Sequence, residues 1–254
     1  MKANALVVSW LLLAAFGAPV GAADLDVSQI RQKLAAATPQ HPANFSGKNL
    51  ESLDLSNIDF KHADLSGANL FGAKLVGADL SGANLKRGKL DLAWVMRANF
   101  TDADLSGASL LGLVTSYGLA ILPKDAPIFR GAKLAGAHVI ARLAQVDLRG
   151  ADFAGAQMGA DMTNQSMGLM RVDFSSADLS DANFAHANLA RALLRFANLR
   201  GANLTGANLT GADFSGADLT DADLGGADAS DADFGGAVLT HARGLATVRG
   251  LNAR

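Results

Sequence analysis

The sequence predicts an all-β solenoid, a chain coiled so that it turns a corner at regular short intervals. Three observations lead there. Of 254 residues, 50 are Ala, 38 Leu and 27 Gly, a skew that points to a repeat. A large apolar residue, Leu or Phe, recurs every five positions over long stretches. Small residues hold a constant phase to it, with Ala two places before and Gly often two places after.

A period of five fits neither a helix nor a flat strand. At 100° per residue successive Leu would spiral around a helix, and in a strand an odd period would flip them from face to face. The pattern works if the chain bends every five residues. The central Leu or Phe then points into the coil, Ala fills the space beside it, and Gly permits the tight turn. Backbone groups pair with the coils above and below.

Residues 1–23 read as an export signal. Lys2 precedes a twelve-residue apolar run at 5–16, interrupted only by Ser9, then Gly17, Pro19 and Gly21 break it, and Ala22 and Ala23 offer small residues for cleavage. The run is short for a membrane span, and no integral membrane segment is expected after cleavage. An exported chain with no Cys suits a bacterial periplasm or the secreted state.

Residues 24–42 are expected to form a short capping helix and a linker. Asp26 or Ser28 can serve as N-cap, Val27, Ile30 and Leu34 recur at helical spacing, and Pro39 and Pro42 stop the helix. The first repeat run, 43–112, has fourteen centres from Phe45 to Leu110: ten Leu, three Phe and Val95. Residues 113–127 break the period with an apolar insertion that holds the chain's single Tyr, Tyr117. At 128–173 the period survives in fragments, around Phe129, Leu134 and Val139 and then Leu148, Phe153 and Met158. Met158, Met162, Met167 and Met170 cluster beside a second irregularity, read as a repacked bulge. The second run, 174–242, again has fourteen centres, with Ala before thirteen of them. The tail, 243–254, is too short for a domain and either caps the end or pairs two rods.

The repeated A-[D/N]-[L/F]-[S/T]-G, seen as ADLSG at 63–67 and ANLTG at 202–206, resembles the pentapeptide-repeat proteins over residues 43–242. That resemblance implies a right-handed quadrilateral β-helix with four repeats to a coil. Phe174, Phe214 and Phe234, spaced by multiples of twenty, would then stack on one side.

Folding the chain at twenty residues per coil brings apolar outward positions together: Phe71, Val76, Leu92, Trp94, Met96 and Leu111. Either the insertion at 113–127 folds over them or they form a partner-binding surface. Near the C-terminus Asp213, Asp218, Asp221, Asp223, Asp228, Asp231 and Asp233 accumulate, suggesting an acidic face that is solvated, binds calcium or receives a basic partner. The seven-acid stretch follows Arg191, Arg195 and Arg200.

Chemistry is sparse. His41, His62, His138, His186 and His241 are scattered, no thiol exists, and no GxSxG, P-loop or HExxH motif occurs. A net charge of -2 offers no general basic surface for nucleic acid. No catalytic residue, cofactor or metal is therefore expected. The expected role is that of a non-enzymatic exported rod, acting as a protein–protein interaction or envelope structural module with an unidentified protein partner, and with homodimerisation through the C-terminal coil. The resemblance implies two alternatives: a DNA mimic that binds type II topoisomerase and confers quinolone tolerance, or a secreted effector.

Overall fold

A computed structural model describes residues 23–116, 118, 122–160 and 171–251. The expected signal peptide, Tyr117 and Met162, Met167 and Met170 lie outside the described residues.

Each repeat is built by three short-range devices. The carbonyl of a central residue accepts from the N–H three places on, as in Ala63 N to Phe60 O at 2.9 Å. The second residue between them has positive φ: +64° at Gly67, +56° at His62. A positive φ at this position is the type II signature, and it explains why Gly is common there. The Asp or Asn before each centre receives the N–H of the residue after it, as in Ser46 N to Asn44 Oδ1 at 2.8 Å. A Ser or Thr in that next position also donates its hydroxyl, as Ser180 does to Asp178 at 2.8 Å. The repeat letters thus each answer a local bonding demand.

Parallel bridges stack the turns into a four-sided solenoid. The first side runs through Asn44, Asp64, Asn84, Asp104, Lys133, Asp152, Asn183, Asn203, Asp223 and Arg243. The second starts at Asn49, the third at Asp54 and the fourth at Asp59. We number the coils from Asn44, giving nine complete coils and a partial tenth among the described residues. At about 4.8 Å per coil the rod is roughly 45 Å long. Most pairings are single bridges. The two longer strands, β1 (Ser109–Leu111) and β2 (His138–Ile140), pair in parallel on the second side.

The core is the column of central Leu and Phe with the Ala two places before each, nearly all inaccessible to solvent. Phe214 and Phe234 stack at 4.9 Å, as their twenty-residue spacing predicts, while Leu194 separates them from Phe174 on that side. Two further stacks, Phe100 on Phe129 at 4.6 Å and Phe153 on Phe184 at 5.0 Å, join residues 29 and 31 apart. Sequence spacing alone conceals them, because chain leaves the coil in between.

Three irregularities become specific here. Val114 still bridges Trp94, so the coil continues through Thr115, and the first insertion occupies 116–127 at the corner between the third and fourth sides. Leu143 is the missing centre after Val139, one residue early. The segment between Gln157 and Asp173 joins the second and third sides of one coil. It is a single five-residue step enlarged by an insertion, where the sequence suggested a repacked bulge.

Both ends are covered. Helix α1 (Val27–Ala35) begins at Asp26, which forms a reciprocal capping box with Gln29, and buries Ile30 against the first coil. At the other end Arg243 bridges Asp223 and Arg249 bridges Asp228, and Leu245 and Val248 pack on the core. This half coil leaves Phe234 and Leu239 only partly buried.

Candidate functional site

The solenoid interior is packed with side chains, so the outer sides are what the molecule presents. Most outward positions are polar. Four of the six apolar residues singled out above are exposed: Phe71 at 40%, Leu92 at 48%, Trp94 at 37% and Leu111 at 37%. They lie in coils 2 to 4, along the corner between the second and third sides. The corner projects, so they form a ridge.

Val76 and Met96 are not part of it. They follow the centres Leu75 and Val95 at the next corner and are 7% and 0% exposed. At that corner the first insertion returns, with Arg97 N donating to Asp125 O at 2.9 Å. The described part of the insertion thus lies beside Met96, while the four ridge residues stay open. The six residues thus divide between two corners, one beside the returning insertion and one left exposed.

Leu92 carries a second cost. Its φ is +58°, a position held by Gly72 and Gly112 in the coils on either side. The left-handed region is unfavourable for a bulky side chain. A Cβ on Gly112 would stand 2.9 Å from Leu92 Cδ2, so the leucine lies over that glycine. Phe196, 69% exposed at φ +54°, lies over Gly216 in the same manner. The sequence held a rule that was missed: a side chain at a left-handed corner is usually followed twenty residues later by Gly. His62 with Gly82, Arg87 with Gly107 and His186 with Gly206 obey it.

The third side also holds a break in the bridge ladder, between Val114 and Arg142. The centre there is Thr115, 3% exposed, whose hydroxyl donates to Arg142 O at 2.8 Å.

The seven C-terminal aspartates do not make one face. Asp213 and Asp233 stand on the third side, Asp218 on the fourth, Asp223 on the first and Asp228 on the second, with Asp221 and Asp231 at corners. Side-chain period, five residues against four sides, spreads them into a belt. Arg195 pairs with Asp213, Arg200 with Asp218 at 3.2 Å, His241 with Asp221 at 3.5 Å, Arg243 with Asp223 at 3.8 Å and Arg249 with Asp228 at 3.0 Å. Donors from Thr220 and then Ser230 hold the Asp218 and Asp228 carboxyls below the ordinary value. The tightest clamp lies elsewhere: Arg149 and then Arg130 hold Asp147 well below the usual carboxylate range.

A cleft of about 570 Å³ opens between the end of α1 and the first coils, lined by Leu34, Pro39, Pro42, Asp59, Lys61 and His62. Lys61 is engaged there by Asp79 at 3.2 Å and Asp59 at 3.6 Å. Among the described residues no three His, Cys, Asp or Glu gather as metal ligands. No described helix is long and apolar enough to cross a membrane.

Geometry and bonding define a class, the four-sided solenoid of five-residue turns. The model of the pentapeptide repeats family matches in 8 copies, at 49–87 and in overlapping segments across 169–243. The chain belongs to the pentapeptide-repeat family. No curated protein matches it. Among solved structures it is similar to HetL, involved in heterocyst differentiation regulation in the cyanobacterium Nostoc sp. strain PCC 7120. Identity is 27%, covering 86% of this chain and 94% of HetL, with a TM-score of 0.49. It is also similar to full-length QnrB1, a plasmid-mediated fluoroquinolone resistance protein, at 22% identity over 79% of this chain and 90% of that one, TM-score 0.36. A pentapeptide repeat protein of the Arabidopsis thaliana thylakoid lumen matches at 22% identity, covering 72% and 69%, TM-score 0.12.

Proposed function

We propose that this protein is a non-enzymatic, exported rod that works by protein–protein contact, as an interaction module or structural element of the bacterial envelope. The ridge of Phe71, Leu92, Trp94 and Leu111 carries the reading. Exposed apolar side chains grouped on a polar surface mark contact sites, and Leu92 stands at a left-handed corner that glycine fills in the coils on either side. The filled core supports a role for the outer sides, and the repeat supports right-handed winding. Partly buried Phe234 and Leu239 at the last coil are where two rods would join end to end. The export reading rests on residues 1–23 of the sequence.

The topoisomerase-binding alternative needs a rod whose charge imitates DNA, and here five of the seven clustered carboxylates face a basic partner. Fractionation of the native host with intact mass measurement tests the proposal. A chain cut near Ala22 or Ala23 in the periplasmic or secreted fraction, cross-linked in place to another envelope protein, is the expected result. Full-length chain in the cytosol would overturn it and restore the DNA-mimic reading.

A further inference from the structure

We infer that the ridge pairs with the ridge of a second copy of this chain, the two rods side by side and antiparallel. The inference rests on reading the ridge as a protein-contact surface, and it names the partner.

The argument is one of register. Two rods that meet along this corner and run in opposite directions are related by a two-fold axis lying across it. Such an axis keeps every residue in its own column and mirrors its height. With the axis at coil 3, coil 2 faces coil 4 of the second copy and coil 1 faces coil 5. The apolar residues obey this mirror. Phe71 and Leu111 occupy the same column, each directly after the centres Leu70 and Leu110, in coils 2 and 4. Each would rest on the other across the contact. Leu92 and Trp94, both in coil 3, would meet their own copies on the axis.

One pair of opposite charges follows the same symmetry. On the third side, the coil 1 position is Asp54 and the coil 5 position is Arg142, both exposed. The mirror sets each opposite the other twice, once at either end of the apolar stretch. Lys74 in coil 2 faces half-buried Val114 in coil 4, which can take its aliphatic stem. The axis also brings together the two Asp91 side chains. Each is turned back onto its own rod, accepting from Ser109 Oγ and from Leu111 N at 2.8 Å. A bilayer or a single apolar peptide would exploit the exposed area, but neither calls for mirrored columns or for opposite charges at mirrored heights. The stretch from coil 1 to coil 5 spans only about 20 Å, below what a standard interface buries, so the pair is a weak one.

Because the chain has no Cys, single introduced thiols can read the register. Under mild oxidation Leu92→Cys should cross-link to itself. Phe71→Cys mixed with Leu111→Cys should give a covalent dimer, while neither does so alone, since like positions there stand about 10 Å apart along the rods and a disulfide needs Cα atoms within about 7 Å. Sedimentation from micromolar to millimolar protein should show a reversible dimer. Asp54→Arg should weaken it about tenfold and adding Arg142→Asp should restore most of that loss. Circular dichroism confirms that each variant is folded. Leu239→Asp, at the far end, should leave this dimer unchanged, which separates it from end-to-end pairing. A folded chain that stays monomeric throughout overturns the pairing. So does Phe71→Cys cross-linking to itself as fast as the mixture. If the ridge then cross-links in cells to a different protein, the contact reading stands and only the second copy is lost. If it cross-links to nothing and Trp94 emission shifts on lipid vesicles, both fall.

Discussion

Gly155 and Gly206 occupy the same corner column, two coils apart, with φ of +64° each. A Cβ on Gly155 would meet nothing within 4 Å, whereas one on Gly206 would stand 2.5 Å from His186 Nδ1 and 2.7 Å from Cε1. Replacing each by Ala therefore separates two effects. Gly155→Ala incurs only the left-handed backbone penalty, about 1–2 kcal/mol. Gly206→Ala incurs that and must also push the imidazole out of its seat. Since His186 is exposed, its ring can swing into water, so the extra cost is that of an off-rotamer side chain and lost contacts, roughly 1 kcal/mol. Urea unfolding followed by circular dichroism reads all three differences. Gly206→Ala should fall below Gly155→Ala by that amount, and in the His186→Ala background the two should cost the same. Equal stabilities of the two single variants, or no rescue by His186→Ala, would refute the claim that side chains at left-handed corners require glycine in the next coil.

Other consequences follow from the core and the charges. Phe214→Ala, at a fully buried stack, should cost about 3–5 kcal/mol, and Phe234→Ala clearly less because the half coil leaves it partly open; thermal unfolding of the two compares them. Thr115→Val should destabilise by about 1–2 kcal/mol by stripping Arg142 O of its hydroxyl donor inside the core, with Thr115→Ser much milder. Asp147 has a depressed folded value, so its clamp contributes in full above the unfolded carboxyl value of about 4 and fades as pH falls below it. Stability measured across that acid range should drop less steeply in the Arg130→Ala, Arg149→Ala double variant than in the parent.

Much of the architecture was legible in the sequence because each repeat closes its own turn. The Asx cap, the type II corner and the inward Leu or Phe depend on residues within five positions of one another, so period and phase could be read directly. The N-terminal helix was legible for the same reason, as Asp26 and Gln29 satisfy each other locally. The ridge was legible in part. Twenty-residue folding brought Phe71, Leu92, Trp94 and Leu111 together, yet it included Val76 and Met96, since period places a residue on a corner without saying what else lies there. The insertion returns beside Arg97, whose N–H donates to Asp125 O, and nothing in the sequence announces it.

Tertiary structure alone decided how coils align across the interruptions. Once chain leaves the coil between Val114 and Ile128 or between Gln157 and Asp173, local bonding no longer dictates the register. The stacks of Phe100 on Phe129 and Phe153 on Phe184 accompany its recovery across each gap. The acidic belt shows the same division. Composition revealed seven aspartates, but their spread over four sides and their pairing with arginines eighteen to twenty-one residues away are properties of neighbouring coils. Sequence by itself determined the turn, the core and the rod, because those are short-range. The surface that the rod presents was settled only by stacking, because it joins side chains a full coil apart.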